Sequence, residues 1–113
     1  MTSERPPAGR GAGAYGTVKA AVEMSTRAWA VELAPHGVTV NAVAPGLVRA
    51  GDEAGVDEAS SPPDGGDVPN RRPADAVQVA ALVRYLVSEE AGHITGQVLN
   101  IDGGLTARLP RLR

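Results

Sequence analysis

Tyr15 and Lys19 are the first residues in the chain whose types and spacing suit proton transfer. They open an apolar pattern that predicts a helix, and residues four apart share one face of a helix, so the phenol and the ammonium would be neighbours. A free tyrosine has a pKa near ~10, and a cation one turn away favours the phenolate and lowers that pKa. Lys19 is also the only lysine among eleven basic residues. A Tyr/Lys pair at this spacing is still common by chance, so by itself it is a weak signal.

The helix that carries this pair is predicted to run from Tyr15 to about Leu33, where Pro35 and Gly37 end it. It has more apolar surface than one sheet-facing stripe requires. One apolar row consists of Val18, Val22, Trp29 and Leu33, and a second consists of Ala21, Met24, Ala28 and Val31. We expect the second row to pack against another helix, from a second subunit.

Two short apolar runs predict strands. The first, Val38 to Ala44, is apolar enough to be buried on both faces, and the second is Gln97 to Ile101. A helix predicted from Pro73 to about Ser88 separates them, and a strand–helix–strand order predicts parallel pairing. Because parallel sheets need several strands and covered faces, two strands indicate part of a larger doubly wound α/β domain.

Residues 51–70 differ from the rest of the chain, because they hold six acids, four glycines and no basic residue. Such a stretch cannot bury enough apolar surface to become ordered independently. It is predicted to be either a disordered loop without a specific role or a flexible substrate lid. The tail from Leu105 onwards lacks periodicity and is expected to be frayed.

Composition excludes several classes of function. The net charge of −2 argues against nucleic acid or an anionic membrane surface as the main partner. The absence of cysteine excludes disulfides and thiol chemistry, and His36 and His93 are too far apart in sequence to suggest a metal site. There is no long apolar run and no apolar N-terminal segment, so we expect a cytoplasmic protein without a membrane span.

The residues now support a family resemblance. Four motifs occur in one order and at suitable spacings, namely Tyr15-x-x-x-Lys19, Asn41-Ala-Val-Ala-Pro45-Gly46, Ile94-Thr95-Gly96-Gln97 and Asp102-Gly103-Gly104. Together they resemble the C-terminal half of a short-chain dehydrogenase/reductase, over roughly residues 12–104. The resemblance implies that residues 1–113 are the C-terminal half of a single Rossmann-like domain.

The resemblance also implies roles for individual residues. Tyr15 would donate or remove the proton at an alcohol or carbonyl substrate, and Lys19 would lower the pKa of that tyrosine and hold the nicotinamide ribose of NAD or NADP. Pro45, Gly46 and Val48 would lie beside the nicotinamide. Asn41 and the Asp-Gly-Gly turn are expected to be structural. In the resembling family, the helices at 15–33 and 73–88 form subunit contacts, so a homo-oligomer is expected.

The sequence also departs from the family pattern. The 113 residues contain no Thr-Gly-x-x-x-Gly-x-Gly turn for a cofactor pyrophosphate. The family's catalytic serine should precede the tyrosine by about a dozen residues, which leaves Ser3, or alternatively Thr2, as the equivalent position. We therefore expect a truncated N-terminal half, and two hypotheses remain: part of an NAD(P)-dependent oxidoreductase, or an inactive remnant that acts as an association module.

Overall fold

Two helices and a two-stranded parallel sheet form the computed structural model, which describes residues 12–49 and 68–108. In chain order the elements are α1 (Ala12–Leu33), β1 (Ala42–Pro45), α2 (Ala76–Leu86) and β2 (Val98–Ile101). Single 3₁₀ turns at Ala34–His36 and Glu89–Ala91 follow the helices. The α/β class and the order of the four elements confirm the prediction from sequence. Thr2, Ser3 and most of the acidic stretch 51–70 lie outside the described residues.

The two strands pair in parallel, with Ala42 opposite Val98 and Pro45 opposite Ile101. β1 is shorter than predicted, because it begins at Ala42 rather than at Val38. The residues before it are held by the turn that precedes β2: the Val40 N–H donates to Thr95 Oγ1 (3.0 Å) and the Val40 carbonyl accepts from the Gly96 N–H (2.7 Å). β2 likewise begins at Val98, one residue after its predicted start.

The second helix begins three residues later than predicted. Pro73 is a good first-turn residue, but Ala74 forms a parallel bridge with Val48, and a residue in such a bridge is extended. Asp75 is therefore the N-cap of α2, with φ −90° and ψ 146°, and its N–H donates to the side chain of Gln78 (2.9 Å). The helix then ends at Leu86, two residues before the predicted end.

The buried side chains are small and centre on β1, all four of whose residues are buried. Val43 lines a groove with residues of α2, and since side chains alternate along a strand, Ala42 and Ala44 face the opposite side of the sheet. α1 contacts β1 as well. Burial of β1 on both faces is what the sequence predicted for a strand inside a doubly wound sheet.

The side of α1 that is buried differs from the prediction. Thr26 and Ala30 are the buried residues of this helix, whereas Val18 and Trp29 of the predicted first row are 61% and 55% exposed. Small side chains let the helix approach closely: a Cβ added at Gly96 would lie 3.3 Å from the Ala30 Cβ. The second apolar row is exposed, as Met24 (63%) and Val31 (77%) show.

The first part of the tail is ordered, contrary to the expectation of fraying from Leu105 onwards. The backbone N–H groups of Leu105 and Ala107 donate to the carbonyls of Asp102 and Gly104, each at 3.2 Å. The Asp102 carboxylate also accepts bonds from the Thr106 N–H (2.6 Å) and hydroxyl (2.8 Å). These bonds close a compact turn after β2, which a search for periodicity does not detect. Residues 109–113 lie outside the described part.

Candidate active site

The Tyr15 and Lys19 side chains are neighbours in the first turns of α1. The Lys19 Nζ lies over the Tyr15 ring, 5.5 Å from its centroid, and both residues are half-buried. The contact follows from the four-residue spacing on a helix, as the sequence predicted. An ammonium at this distance from the ring is attracted by its π-face, which holds the cation close to the phenol.

Pro45 and Gly46 lie where β1 ends, directly beside the end of β2. The Gly46 N–H donates to the Ile101 carbonyl (3.2 Å), which extends the ladder by one residue. A Cβ at Gly46 would lie 2.9 Å from the Asp102 Cβ and 3.0 Å from its Cα, closer than side chains tolerate. Glycine is therefore required here by the close approach of two backbones.

Val48 follows in the same turn and forms the bridge to Ala74. The bridge consists of the Ala74 N–H donating to the Leu47 carbonyl (2.9 Å) and the Arg49 N–H donating to the Ala74 carbonyl (2.8 Å). In a parallel bridge of this kind, the central residue directs its own N–H and C=O to the other side. The backbone polar groups of Val48 consequently face away from Ala74.

Asn41 and the Ile94–Gln97 motif bind each other, and so fix the register of the sheet. The Asn41 side-chain amide donates to the Ile94 carbonyl (2.8 Å), and its oxygen accepts from the Gln97 N–H (3.1 Å). These bonds join residues more than 50 positions apart in the chain. The expectation that Asn41 is structural is confirmed. Thr95 belongs to the same group of hydrogen bonds, since its hydroxyl oxygen accepts from the Val40 N–H, and no role was predicted for it from sequence.

The Asp102-Gly103-Gly104 motif is also structural, as expected. The Asp102 carboxylate accepts from the Gly104 N–H (2.9 Å) in addition to its bonds to Thr106. Gly103 has φ 63°, and its carbonyl accepts from the Asn70 N–H (3.2 Å). The turn after β2 thereby anchors the segment that leads into α2. That anchor was missed from sequence, because it joins residues 33 positions apart.

The structure describes every proposed site residue except Ser3, which lies outside the described ranges together with Thr2. It brings Tyr15 and Lys19 together on α1, and it groups Pro45, Gly46 and Val48 in the turn after β1. Among the described residues there is no group of three histidine or acidic side chains that could hold a metal ion. None of the described helices is long and apolar enough to span a bilayer.

Parallel strands flanked by helices define the α/β class of protein, here with the Pro45-Gly46 turn after β1 and the Tyr15/Lys19 pair on α1. A family model described as enoyl-(acyl carrier protein) reductase matches residues 3–106. The chain belongs to the short-chain dehydrogenase/reductase family, which confirms the resemblance drawn from its motifs.

Two characterised relatives and one solved structure illustrate the similarity. The chain is 41% identical over 103 residues to L-2,3-butanediol dehydrogenase of Corynebacterium glutamicum (81% of this chain, 40% of that protein). It is 40% identical over 99 residues to 1-cyclohexenylcarbonyl-CoA reductase of Streptomyces collinus (84% of this chain, 35% of that protein). The crystal structure of acetoin dehydrogenase YohF from Salmonella typhimurium superposes with a TM-score of 0.75 at 34% identity, covering 94% of this chain and 40% of that chain.

These matches cover most of this chain but a minor part of each relative. The chain spans 35% and 40% of the length of the two characterised relatives. The relatives therefore carry residues with no counterpart among these 113, and the activity of a whole enzyme does not transfer to this chain by similarity alone.

Proposed function

We propose that the chain supplies the catalytic half of an NAD(P)-dependent oxidoreductase that interconverts an alcohol and a carbonyl. Tyr15 exchanges a proton with the substrate oxygen, as phenol in reduction and as phenolate in oxidation. A bound nicotinamide cofactor, NAD or NADP, supplies or accepts the hydride at the substrate carbon. Ser3, or alternatively Thr2, contributes the hydroxyl that orients the substrate oxygen.

The contact between Lys19 and Tyr15 carries this proposal. The Lys19 ammonium lies 5.5 Å from the centroid of the Tyr15 ring and is attracted by its π-face. Half-burial of both residues strengthens that attraction compared with bulk water. In the proposed enzyme, Lys19 also donates hydrogen bonds to the ribose hydroxyls of the cofactor, for which an ammonium with three donors is suited.

The turn after β1 supports a nicotinamide site. Ligands of open α/β sheets bind beyond the carboxyl ends of the strands, where Pro45 and Gly46 lie. The Val48 N–H and C=O face away from the Ala74 bridge, and we propose that they bind the cofactor's carboxamide, which offers one acceptor and two donors.

The direction of α1 supports placement of the Tyr/Lys pair at the same end of the sheet. Ala30 lies next to Gly96, near the start of the strands. At about 1.5 Å per residue, Lys19 is roughly 16 Å from Ala30 along the helix. Each strand spans four residues, or roughly 13 Å, so a helix returning over the sheet brings Lys19 to the carboxyl ends.

A chimera tests this function. In the chimera, the 103 residues of the C. glutamicum dehydrogenase that match this chain are replaced by the aligned residues of this chain. Oxidation of L-2,3-butanediol is then followed by NADH absorbance. We expect activity in the chimera and a loss of about 10²–10⁴-fold in kcat in its Tyr15→Phe variant, the usual contribution of general acid–base catalysis. Cofactor affinity should stay nearly unchanged.

The chain offers a matched control, since Tyr85 is its other tyrosine and lies on α2, 47% exposed. Tyr85→Phe should retain the activity of the chimera. A folded chimera in which Tyr15→Phe and Tyr85→Phe are equally active would refute the assignment of Tyr15.

A second candidate function, association with another copy, is favoured by the exposed apolar side chains of both helices. Met24 and Val31 are 63% and 77% exposed on α1, and Val77 and Val87 are 70% and 79% exposed on α2. Surfaces of this kind drive association. We propose that α1 and α2, which correspond to the predicted helices 15–33 and 73–88, form the contacts of a homo-oligomer.

A further inference from the structure

Arg71 has an unusual backbone conformation. Its φ is 57°, and it is the one non-glycine residue with positive φ among those the structure describes. This left-handed region is disfavoured for residues with a Cβ, and a long side chain such as arginine gains no local hydrogen bond there, unlike Asn or Asp. Disfavoured backbone of this kind persists where the surroundings fix it, and it is concentrated at functional sites.

The surroundings fix Arg71 at the carboxyl ends of both strands. Its N–H donates to the Val68 carbonyl (2.8 Å), and the next N–H, of Arg72, donates to the Asn70 side chain (3.3 Å). The Asn70 N–H in turn donates to the Gly103 carbonyl, just after β2. On the other side, Pro73 is buried and Ala74 bridges to the segment that follows β1.

This edge of the sheet is positively charged in the described structure. Arg71 and Arg72 are exposed and adjacent, and Arg49 lies on the neighbouring segment. The acids nearby are already engaged: the Asp75 carboxylate pairs with Arg49 (3.5 Å), and the Asp102 carboxylate accepts bonds from the turn after β2. No ion pair of Arg71 or Arg72 with another described residue offsets their charge.

We propose that Arg71 and Arg72 bind a phosphate group of the substrate, at the entrance to the proposed active site. Two guanidinium groups on consecutive residues present planar sets of donors that match the oxygens and the double charge of a phosphate monoester. The assignment of this phosphate to the substrate rests on the proposed oxidoreductase function. The preferred substrate is then a phosphorylated alcohol or ketone, and a neutral one binds more weakly.

The test is a titration of the ¹⁵N-labelled chimera with inorganic phosphate, followed by NMR of the arginine Nε–Hε signals at constant ionic strength. We expect saturation in the millimolar range, and about tenfold weaker binding in Arg71→Gly and in Arg72→Gln. Arg84→Gln, an exposed arginine in the last turn of α2, is the matched control and should bind like the wild type. Tyr15→Phe should also bind like the wild type, so this test is independent of catalysis.

Arg71→Gly removes the charge and also relieves the backbone strain, and the two effects have different readouts. Glycine adopts the left-handed conformation readily, so we expect this variant to keep its fold and to gain thermal stability while it loses phosphate. Unchanged phosphate affinity in Arg71→Gly would overturn the proposal, as would equal affinity for acetate.

Two further outcomes would also contradict it. If Arg72→Gln weakens NADP⁺ binding as strongly as it weakens inorganic phosphate binding, the arginines bind a phosphate of the cofactor and not of the substrate. The stretch 51–67 contains six acids. Phosphate binding that appears only after these are changed to amides would mean that the arginines serve the chain's own carboxylates.

Discussion

The close approach of the two strand ends predicts a large effect for Gly46→Ala. The added methyl group would lie 2.9 Å from the Asp102 Cβ and 3.0 Å from its Cα, atoms that cannot rotate away. The strand ends must therefore separate, which strains the Gly46–Ile101 hydrogen bond. Overpacking costs about 1–3 kcal/mol and a lost hydrogen bond about 1 kcal/mol, so we expect about 2–4 kcal/mol of destabilisation.

Gly16→Ala is the matched control, because it makes the same chemical change in the interior of α1. Among the described residues, nothing outside the neighbouring helix backbone lies within 4 Å of a Cβ at Gly16. Alanine in a helix interior is about 0.5–1 kcal/mol more favourable than glycine, so this variant should be stabilised. Thermal melts of both variants in the chimera would show opposite shifts, at about 2–4 °C per kcal/mol. A Gly46→Ala melt at or above that of the parent chimera would refute the close approach.

Two predictions concern the 113-residue chain by itself. Because it contains no glycine-rich pyrophosphate turn, we expect it to bind NADH or NADPH with dissociation constants no better than about the millimolar range; saturation of nicotinamide fluorescence at micromolar concentration would contradict this. Because Met24 and Val31 are exposed on α1, we expect association in sedimentation experiments and a broad thermal transition, both reduced by Met24→Lys with Val31→Lys. A sharp melt of a single species near 11.5 kDa would contradict that expectation.

Sequence patterns correctly predicted the features that depend only on residues close together in the chain. The Tyr15–Lys19 contact follows from the period of a helix, and the burial of β1 follows from its unbroken apolar run. The sheet-facing side of α1 was not predictable from hydrophobicity. Ala30 is buried there because the close contact at Gly96 needs a small residue, and the more hydrophobic Trp29 is left exposed.

The predicted ends of helices and strands were wrong where contacts between distant residues override the local conformational preference. Val40 belongs to a run with strong strand character, but Thr95 and Gly96, 55 and 56 positions later, take its hydrogen bonds. Pro73 suits the start of a helix, but the bridge from Ala74 to Val48 keeps the backbone extended. The left-handed Arg71 could not be predicted either, since nothing in its own sequence favours that conformation.

The central claim is that Tyr15 and Lys19 act as a unit in proton transfer. A double-mutant cycle of Tyr15→Phe and Lys19→Met in the chimera tests it most directly, with kcat and cofactor dissociation constants measured for all four proteins. Lys19→Met alone should lower kcat and weaken cofactor binding. Arg27→Met, which removes an exposed cation elsewhere on α1, should do neither. In the Tyr15→Phe background, Lys19→Met should weaken cofactor binding but leave kcat unchanged, because no phenol remains to assist. Losses in kcat that multiply independently would contradict the account.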